Sequence, residues 1–428
     1  MNTFLIILFI FTYAAIAFEH PIKINKSASA LLGAGLLWAV YAIFSSDAHL
    51  VNEELAETLV STSQIVFFLM GAMTIVEVVD AHKGFEVVTD RIKTTRLSSL
   101  LWLVAVVTFF LSAILDNLTT TIVMVSLLKK LLDKREDRLL FAGLIIIAAN
   151  AGGAWSPIGD VTTTMLWIGG QITAGAIMQS LFLPSAVSLL VPLFIAGWML
   201  RGKLVVPPQQ SHDEGDDFAT SASERNIMFF LGLGVLVAVP AFKTVTHLPP
   251  FMGVLLGLGL LWLVGDILHK GKTVEERSHL ELSHALSRID MSSIVFFIGI
   301  LLAVATLEHT HILSSLAQWL NDTVGRQDVI VMLIGVFSAI VDNVPLVAAS
   351  MGMYSLEMHP TNDFLWTFLA YCAGTGGSIL IIGSAAGVAA MGIEKIDFGW
   401  YFKKITGLAM VGYLAGAMVY MLQFSLTR

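Results

Sequence analysis

The sequence predicts an all-α polytopic membrane protein of two inverted repeats, each with five transmembrane segments, one re-entrant hairpin and one interrupted helix. Three observations lead there. Of its 428 residues, 56% are hydrophobic and 13% charged, with a mean hydropathy of +0.81; a soluble domain carries roughly 25% charged residues. The basic residues gather in alternate loops. Four short motifs recur in the same order at nearly one offset.

Spans come first. Segments approaching the ~20 apolar residues that cross a bilayer lie near 3–19, 27–46, 60–79, 139–168, 179–200, 226–243, 250–267, 290–307, 363–392 and 401–424. Residues 4–17 end in Ala15-Ile16-Ala17, which resembles a signal-peptidase site, but no positive region precedes them, so they are read as the first span. Residues 97–132 and 327–357 each hold two short apolar legs broken by Asp-Asn. Such legs fit hairpins that enter and leave on one side, with their tips buried in protein.

Orientation follows from Lys and Arg. With the N-terminus outside, on the periplasmic face, and each hairpin returning, all of the 24 basic residues except Lys243, Arg326 and Arg428 fall in cytoplasmic loops, as the positive-inside rule requires. With most of the surface facing lipid, the net charge of -8 says little about partners; the basic residues are confined to short loops and form no nucleic-acid patch, so no nucleic-acid partner is expected. Cys372 is the single cysteine, so no intrachain disulfide can form.

The repeats come next. Leu-Leu-Gly-Ala-Gly-Leu-Leu-Trp-Ala-Val at 31–40 returns as Leu-Leu-Gly-Leu-Gly-Leu-Leu-Trp-Leu-Val at 255–264. Ser-Gln-Ile-Val-Phe-Phe at 63–68 returns as Ser-Ser-Ile-Val-Phe-Phe at 292–297, and Ser-Ala-Ile-Leu-Asp-Asn at 112–117 as Ser-Ala-Ile-Val-Asp-Asn at 338–343. Gly152, Gly153 and Gly159 return as Gly376, Gly377 and Gly383. The first repeat is 1–200 (hairpin 97–132, broken helix 139–168) and the second 226–428 (hairpin 327–357, broken helix 363–392), joined by a cytoplasmic linker at 201–225. An odd number of crossings per half turns the second upside down, the pattern of an alternating-access transporter.

Asp116-Asn117 and Asp342-Asn343 mark the hairpin tips. An ionisable side chain at membrane depth costs about 2.5–3.5 kcal/mol on insertion scales, so each is a functional candidate, although each could also cap the helix that follows. The stretch Asn150 to Thr164 places two glycines, a proline, a third glycine and Asp160 inside an apolar run. The glycines and proline are expected to break the helix, leaving carbonyls and the oxygens of Asn150, Asp160, Thr162 and Thr163 as a hard-oxygen cage for a small cation. In the second half Ser384 stands at the position of Asp160 and Gly374 at that of Asn150, so the stronger cation site is expected in the first half. No Lys or Arg is expected in a span or at a break. A carboxylate there can be neutralised by a proton or by a metal cation, so one place can serve both in alternation. Glu77, Asp80, Glu308 and His309 are weaker candidates, read as interface residues. No His-Glu-x-x-His or Gly-x-Ser-x-Gly motif occurs in the spans, which speaks against an enzyme.

At Ser112–Thr121, Asn150–Thr164, Ser338–Tyr354 and Ile382–Gly392 the chain resembles the NhaD-type sodium/proton antiporters of the ion transporter superfamily. The resemblance implies a bacterial inner-membrane exchanger of Na⁺ or Li⁺ for H⁺ that needs no cofactor. It also implies a homodimer whose transport domain moves against a scaffold as an elevator. By that resemblance the ligands and proton acceptors come from Asp116, Asn117, Asn150, Asp160, Thr162, Thr163, Ser338, Asp342, Asn343, Ser378 and Ser384, with Asp116, Asn150, Asp160 and Thr162 holding the Na⁺ or Li⁺. Relatives that expel arsenite or antimonite share the Asp-Asn-x-Thr-Thr hairpin and supply the alternative reading.

Overall fold

In the computed structural model, which describes residues 1–89, 94–205, 220–273, 277–340 and 342–427, the described residues fold into helices joined by short turns. The first half holds α1 (Asn2–Ala17), α2 (Lys26–Phe44), α3 (Ala48–Ala81), α4 (Leu97–Ser112), α5 (Asn117–Leu131), α6 (Arg135–Ala154), α7 (Val161–Ile168) and α8 (Ala174–Met199). The second holds α9 (Ala222–Thr246), α10 (Pro250–Leu268), α11 (Met291–His309), α12 (Ile312–Val324), α13 (Gln327–Phe337), α14 (Asn343–Met353), α15 (Phe364–Gly376), α16 (Ala385–Glu394) and α17 (Thr406–Thr427). Among the described residues, eight helices are long and apolar enough to cross a membrane. The chain is a multi-pass membrane protein.

Two features differ from the sequence reading. The span expected at 60–79 belongs to α3, a helix of 34 residues, about 50 Å long at ~1.5 Å per residue. Its extra turns carry Asn52, Glu53, Glu54 and Glu57, so hydropathy alone misses them, and Asp47 starts the helix by accepting from the amides of His49 and Leu50. Gly152 and Gly153 do not break a helix. They lie inside α6, and the break falls after Ala154. Much of the linker expected at 201–225 lies outside the described residues.

The hairpin legs are short: 16 and 15 residues for α4 and α5, and 11 each for α13 and α14. Eleven residues reach about 17 Å, little over half of a ~30 Å hydrocarbon core. Breaks at 155–160 and 377–384 divide α6 from α7 and α15 from α16.

Packing joins helices both within and between the halves. Helix α2 packs on α11 and α3 on α10; α5 packs on α16 and α14 on α7; α4 packs on α6 and α13 on α15; α8 packs on α17. The hairpins, broken helices, α8 and α17 pack on one another and are termed the first body; α1–α3 and α9–α11 pack on one another and are termed the second, and α14 also packs on α11 where the two groups meet. In the first body Phe141, Ile146, Trp366, Phe368 and Tyr371 have no exposed area.

In the second body, α3 and α10 end side by side at His82 and His269, whose rings stack at 5.0 Å. His82 Nδ1 donates to the Val78 carbonyl at 2.6 Å, which leaves its Nε2 to accept from His269 Nε2 at 3.1 Å. Burial holds His82 at about 4, well below the ordinary imidazole value. The unfolded chain therefore takes up a proton near pH 6.5 that the folded chain refuses until about pH 4. Stability from this pair is present above pH 6.5 and is lost as pH falls through that window. The melting temperature in detergent is expected to fall from pH 6.5 to 4, with a shallower slope in His82→Gln.

Candidate functional site

Four half-helices begin at one place in the middle of the first body, and the residue that starts each of them is polar. Asp116 caps α5 by accepting from the Thr119 amide and hydroxyl at 2.7 and 2.8 Å. Asp342 caps α14 through the Val344 amide. Asp160 caps α7, accepting from the amide and hydroxyl of Thr162 at 2.8 Å each. Ser384 caps α16 through the Gly387 amide. The local rule is ordinary N-capping. The departure is that three of the caps are carboxylates.

Asp160 sits at the junction. Its Oδ2 accepts from Asn117 Nδ2 at 2.8 Å and from Asn343 Nδ2 at 3.4 Å, one amide from each hairpin tip. Asn117 Nδ2 also reaches Asn150 Oδ1 at 3.0 Å, and Asn150 Nδ2 donates to Ser378 and Ser384 at 2.9 Å each. Asp160 is 2% exposed and Asn150 fully buried. The network therefore draws on both halves. Asn117, Asn150, Asp160 and Thr162 come from the first, and Asn343, Ser378 and Ser384 from the second.

The other expected residues lie around this centre. The carboxylates of Asp116 and Asp342 are turned into their own caps, and Asp342 Oδ2 is held by Lys26 Nζ at 2.8 Å. Lys26, assigned from sequence to a loop, is the first residue of the spanning helix α2 and reaches a hairpin tip, which corrects the expectation of no basic residue in a span. The Thr163 hydroxyl donates to the backbone carbonyl of Asp160. Ser338 donates to the carbonyls of Gly335 and Ala373, tying α13 to α15. Its counterpart Ser112 does the same to Ala149 at 2.6 Å. Glu77 and Asp80 face Arg288 at 3.4 and 3.7 Å.

The glycine pairs make this junction possible by close approach. A Cβ on Gly152 would lie 2.2 Å from the Phe109 carbonyl oxygen, and one on Gly376 would lie 2.0 Å from that of Gly335. Each hairpin thus presses its first leg against a broken helix with no room for a methyl group. At Gly374 a Cβ would lie 3.2 Å from the Ala154 Cβ, where α15 passes the end of α6.

A cavity of about 470 Å³ opens beside the junction. Glu19, Lys26, Asp342 and Ser384 supply its polar wall, with Phe18 and Val388 among its apolar residues. Ser384 connects it by one hydrogen bond to Asn150. A second space of about 190 Å³, lined by Thr58, Ser61, Met165, Glu308 and Met351, touches α7 and α14.

Comparison with known proteins gives one reading. The profile of the CitMHS family, described as citrate transporters, matches residues 6–374. The chain is 51% identical over 420 residues to sodium/proton antiporter 1 of Arabidopsis thaliana, covering 97% of this chain and 71% of that protein. It is 30% identical over 425 residues to the Na⁺/H⁺ antiporter NhaD of Vibrio parahaemolyticus, covering 91% and 98%. In fold it is similar to the YdaH transporter of Alcanivorax borkumensis, with a TM-score of 0.57 at 12% identity over 94% of this chain and 97% of that one.

The close approaches carry a prediction. Gly152→Ala and Gly376→Ala each force two backbones apart, so the folded yield or melting temperature should drop in both. Gly35→Ala, with nothing within 4 Å, should leave both unchanged. Thermal unfolding of purified carrier by fluorescence checks this.

Proposed function

Because this chain belongs to the CitMHS family and to the NhaD-type sodium/proton antiporters of the ion transporter superfamily, we propose that it exchanges Na⁺ or Li⁺ for H⁺ at Asp160. The observation that carries the proposal is the meeting of both hairpin tips and a broken helix at this one carboxylate.

The charge balance speaks against an anion. Four helix N-termini contribute roughly half a positive charge each, so about two in all. Lys26 is taken up by Asp342, and Asp116 and Asp160 match the helix N-termini, so the site is close to neutral before any ion enters. A citrate anion would enter a site with no positive charge to spare, so the family's description does not set the substrate.

Without a bound ion, two amides and Thr162 solvate the Asp160 carboxylate. A proton on Oδ2 removes the need for the amide donors. A Na⁺ at the same place needs oxygens instead, and rotation of Asn117 and Asn343 presents their carbonyl oxygens to it. Asn150 and Asp160 complete a hard-oxygen set of the kind a small cation takes. Either ion neutralises the carboxylate, and the two compete. Asp116 acts here as a charged cap near the site and supplies a further oxygen to Na⁺ or Li⁺ only after its cap loosens. Thr163, Ser338, Ser378 and Ser384 hold the frame.

The two bodies suit an elevator, the first carrying the ion past α1–α3 and α9–α11, with the halves inverted so that exchanged packing gives two mirror-like end states. A homodimer held through the second body is part of the proposal. A bacterial inner membrane follows from the NhaD relatives. With a plant relative at 51% identity, the proposal is confined to a membrane that holds a proton gradient.

In liposomes with an imposed pH gradient, Na⁺ or Li⁺ should collapse the gradient through the wild-type protein. Asp160→Asn should lower this exchange at least 100-fold, while Asp116→Asn, which keeps a capping side chain, should lower it less. Failure of Na⁺ to collapse the gradient, or full activity of Asp160→Asn, overturns the assignment. Transport of arsenite in its place would favour the alternative.

A further inference from the structure

We propose that Lys26 is a positioning residue, a latch through which the α1–α3 and α9–α11 body holds the tip of the second hairpin and biases the carrier toward the state seen here. The inference rests on the two-body reading above but not on the identity of the ion.

Lys26 Nζ lies 2.8 Å from Asp342 Oδ2, with side chains 25% and 16% exposed. The same ammonium sits 4.4 Å over the Phe296 ring of α11, and the Lys26 backbone amide donates to Glu19 Oε1 at 3.1 Å. The lysine is thus fixed by its own body from two directions, while its charge is given to the other. Asp342 is one residue from Asn343, whose amide donates to Asp160. Any turn of Asn343 toward an arriving cation is therefore felt at the ion pair. Another lysine of the same body makes a comparable reach: Lys243 Nζ donates to the Trp167 carbonyl at the end of α7, at 2.8 Å. That second contact is to a neutral carbonyl. The Lys26 contact is between full charges at low exposure, where parting the pair leaves each poorly solvated. It is the larger of the two holds.

The latch lines the 470 Å³ cavity, and both bodies contribute to its lining: Phe18 precedes α2, and Val388 lies in α16. Parting of the latch must part these residues. Nitroxide labels on Phe18→Cys and Val388→Cys, in a Cys372→Ala background and reconstituted in lipid nanodiscs without Na⁺, read that distance by dipolar broadening. The account expects Lys26→Gln and Asp342→Asn each to shift the odds of the close state by roughly tenfold, within the usual range of coupling energies. The double variant should go no further, and Lys26→Arg should keep the wild-type spectrum. An unchanged close fraction in Lys26→Gln, or an effect in the double variant equal to both singles combined, overturns the latch. Lys26→Arg serves as the folding control for the site. The exchange assay on Asp160→Asn reads the ion site separately, so either assignment can fail alone.

Discussion

A buried carboxylate must be solvated by something, and in this molecule protein groups do it. Asp160 is 2% exposed, and its two oxygens accept from Asn117, Asn343 and the amide and hydroxyl of Thr162. Burying such a charge without donors would cost many kcal/mol. The surrounding architecture answers that need. Hairpins bring side-chain amides in from two sides, and the break after α6 frees a helix start at which Thr162 donates its amide and hydroxyl.

The same constraint accounts for the glycines. Each hairpin must reach the centre of the first body, which requires its leg to ride against a broken helix at backbone contact. The requirement is met identically in the two halves, at Gly152 against Phe109 and at Gly376 against Gly335. Ser112 and Ser338 then tie the same pairs of helices through their hydroxyls. Where the halves differ, they differ at the junction of the four half-helices: Asn150 and Asp160 in one, Gly374 and Ser384 in the other. A symmetric frame thus holds one asymmetric site, and Lys26 adds a second asymmetry at the hairpin tip.

Much of this was legible in the sequence. Apolar run length pointed to an all-helical membrane protein, the repeated Ser-Ala-Ile-x-Asp-Asn marked where α5 and α14 begin, and Asp160 stood out as an acid inside an apolar segment. The reading of Gly152 and Gly153 as breakers failed because a helix tolerates glycine when close packing returns what the backbone loses, and sequence does not display the partner. The first three turns of α3 were missed because their glutamates hide the helix from hydropathy. Lys26 was missed for a different reason. A lysine at the edge of an apolar run reads as a loop residue, and its partner lies 316 residues away. Asn343, Ser378 and Ser384 meet Asn150 and Asp160 only in three dimensions, a proximity that the sequence does not display.

The central claim is that a proton and Na⁺ take turns on Asp160. Equilibrium binding of radioactive Na⁺ to the purified protein, measured across pH, tests it most directly. Competition for one carboxylate predicts that the apparent dissociation constant rises about tenfold for each unit of acidification below the pH at which the site takes up its proton. Maximal binding should stay unchanged, and Asp160→Asn should bind no Na⁺. Na⁺ binding that is indifferent to pH, or that survives in Asp160→Asn, would contradict it.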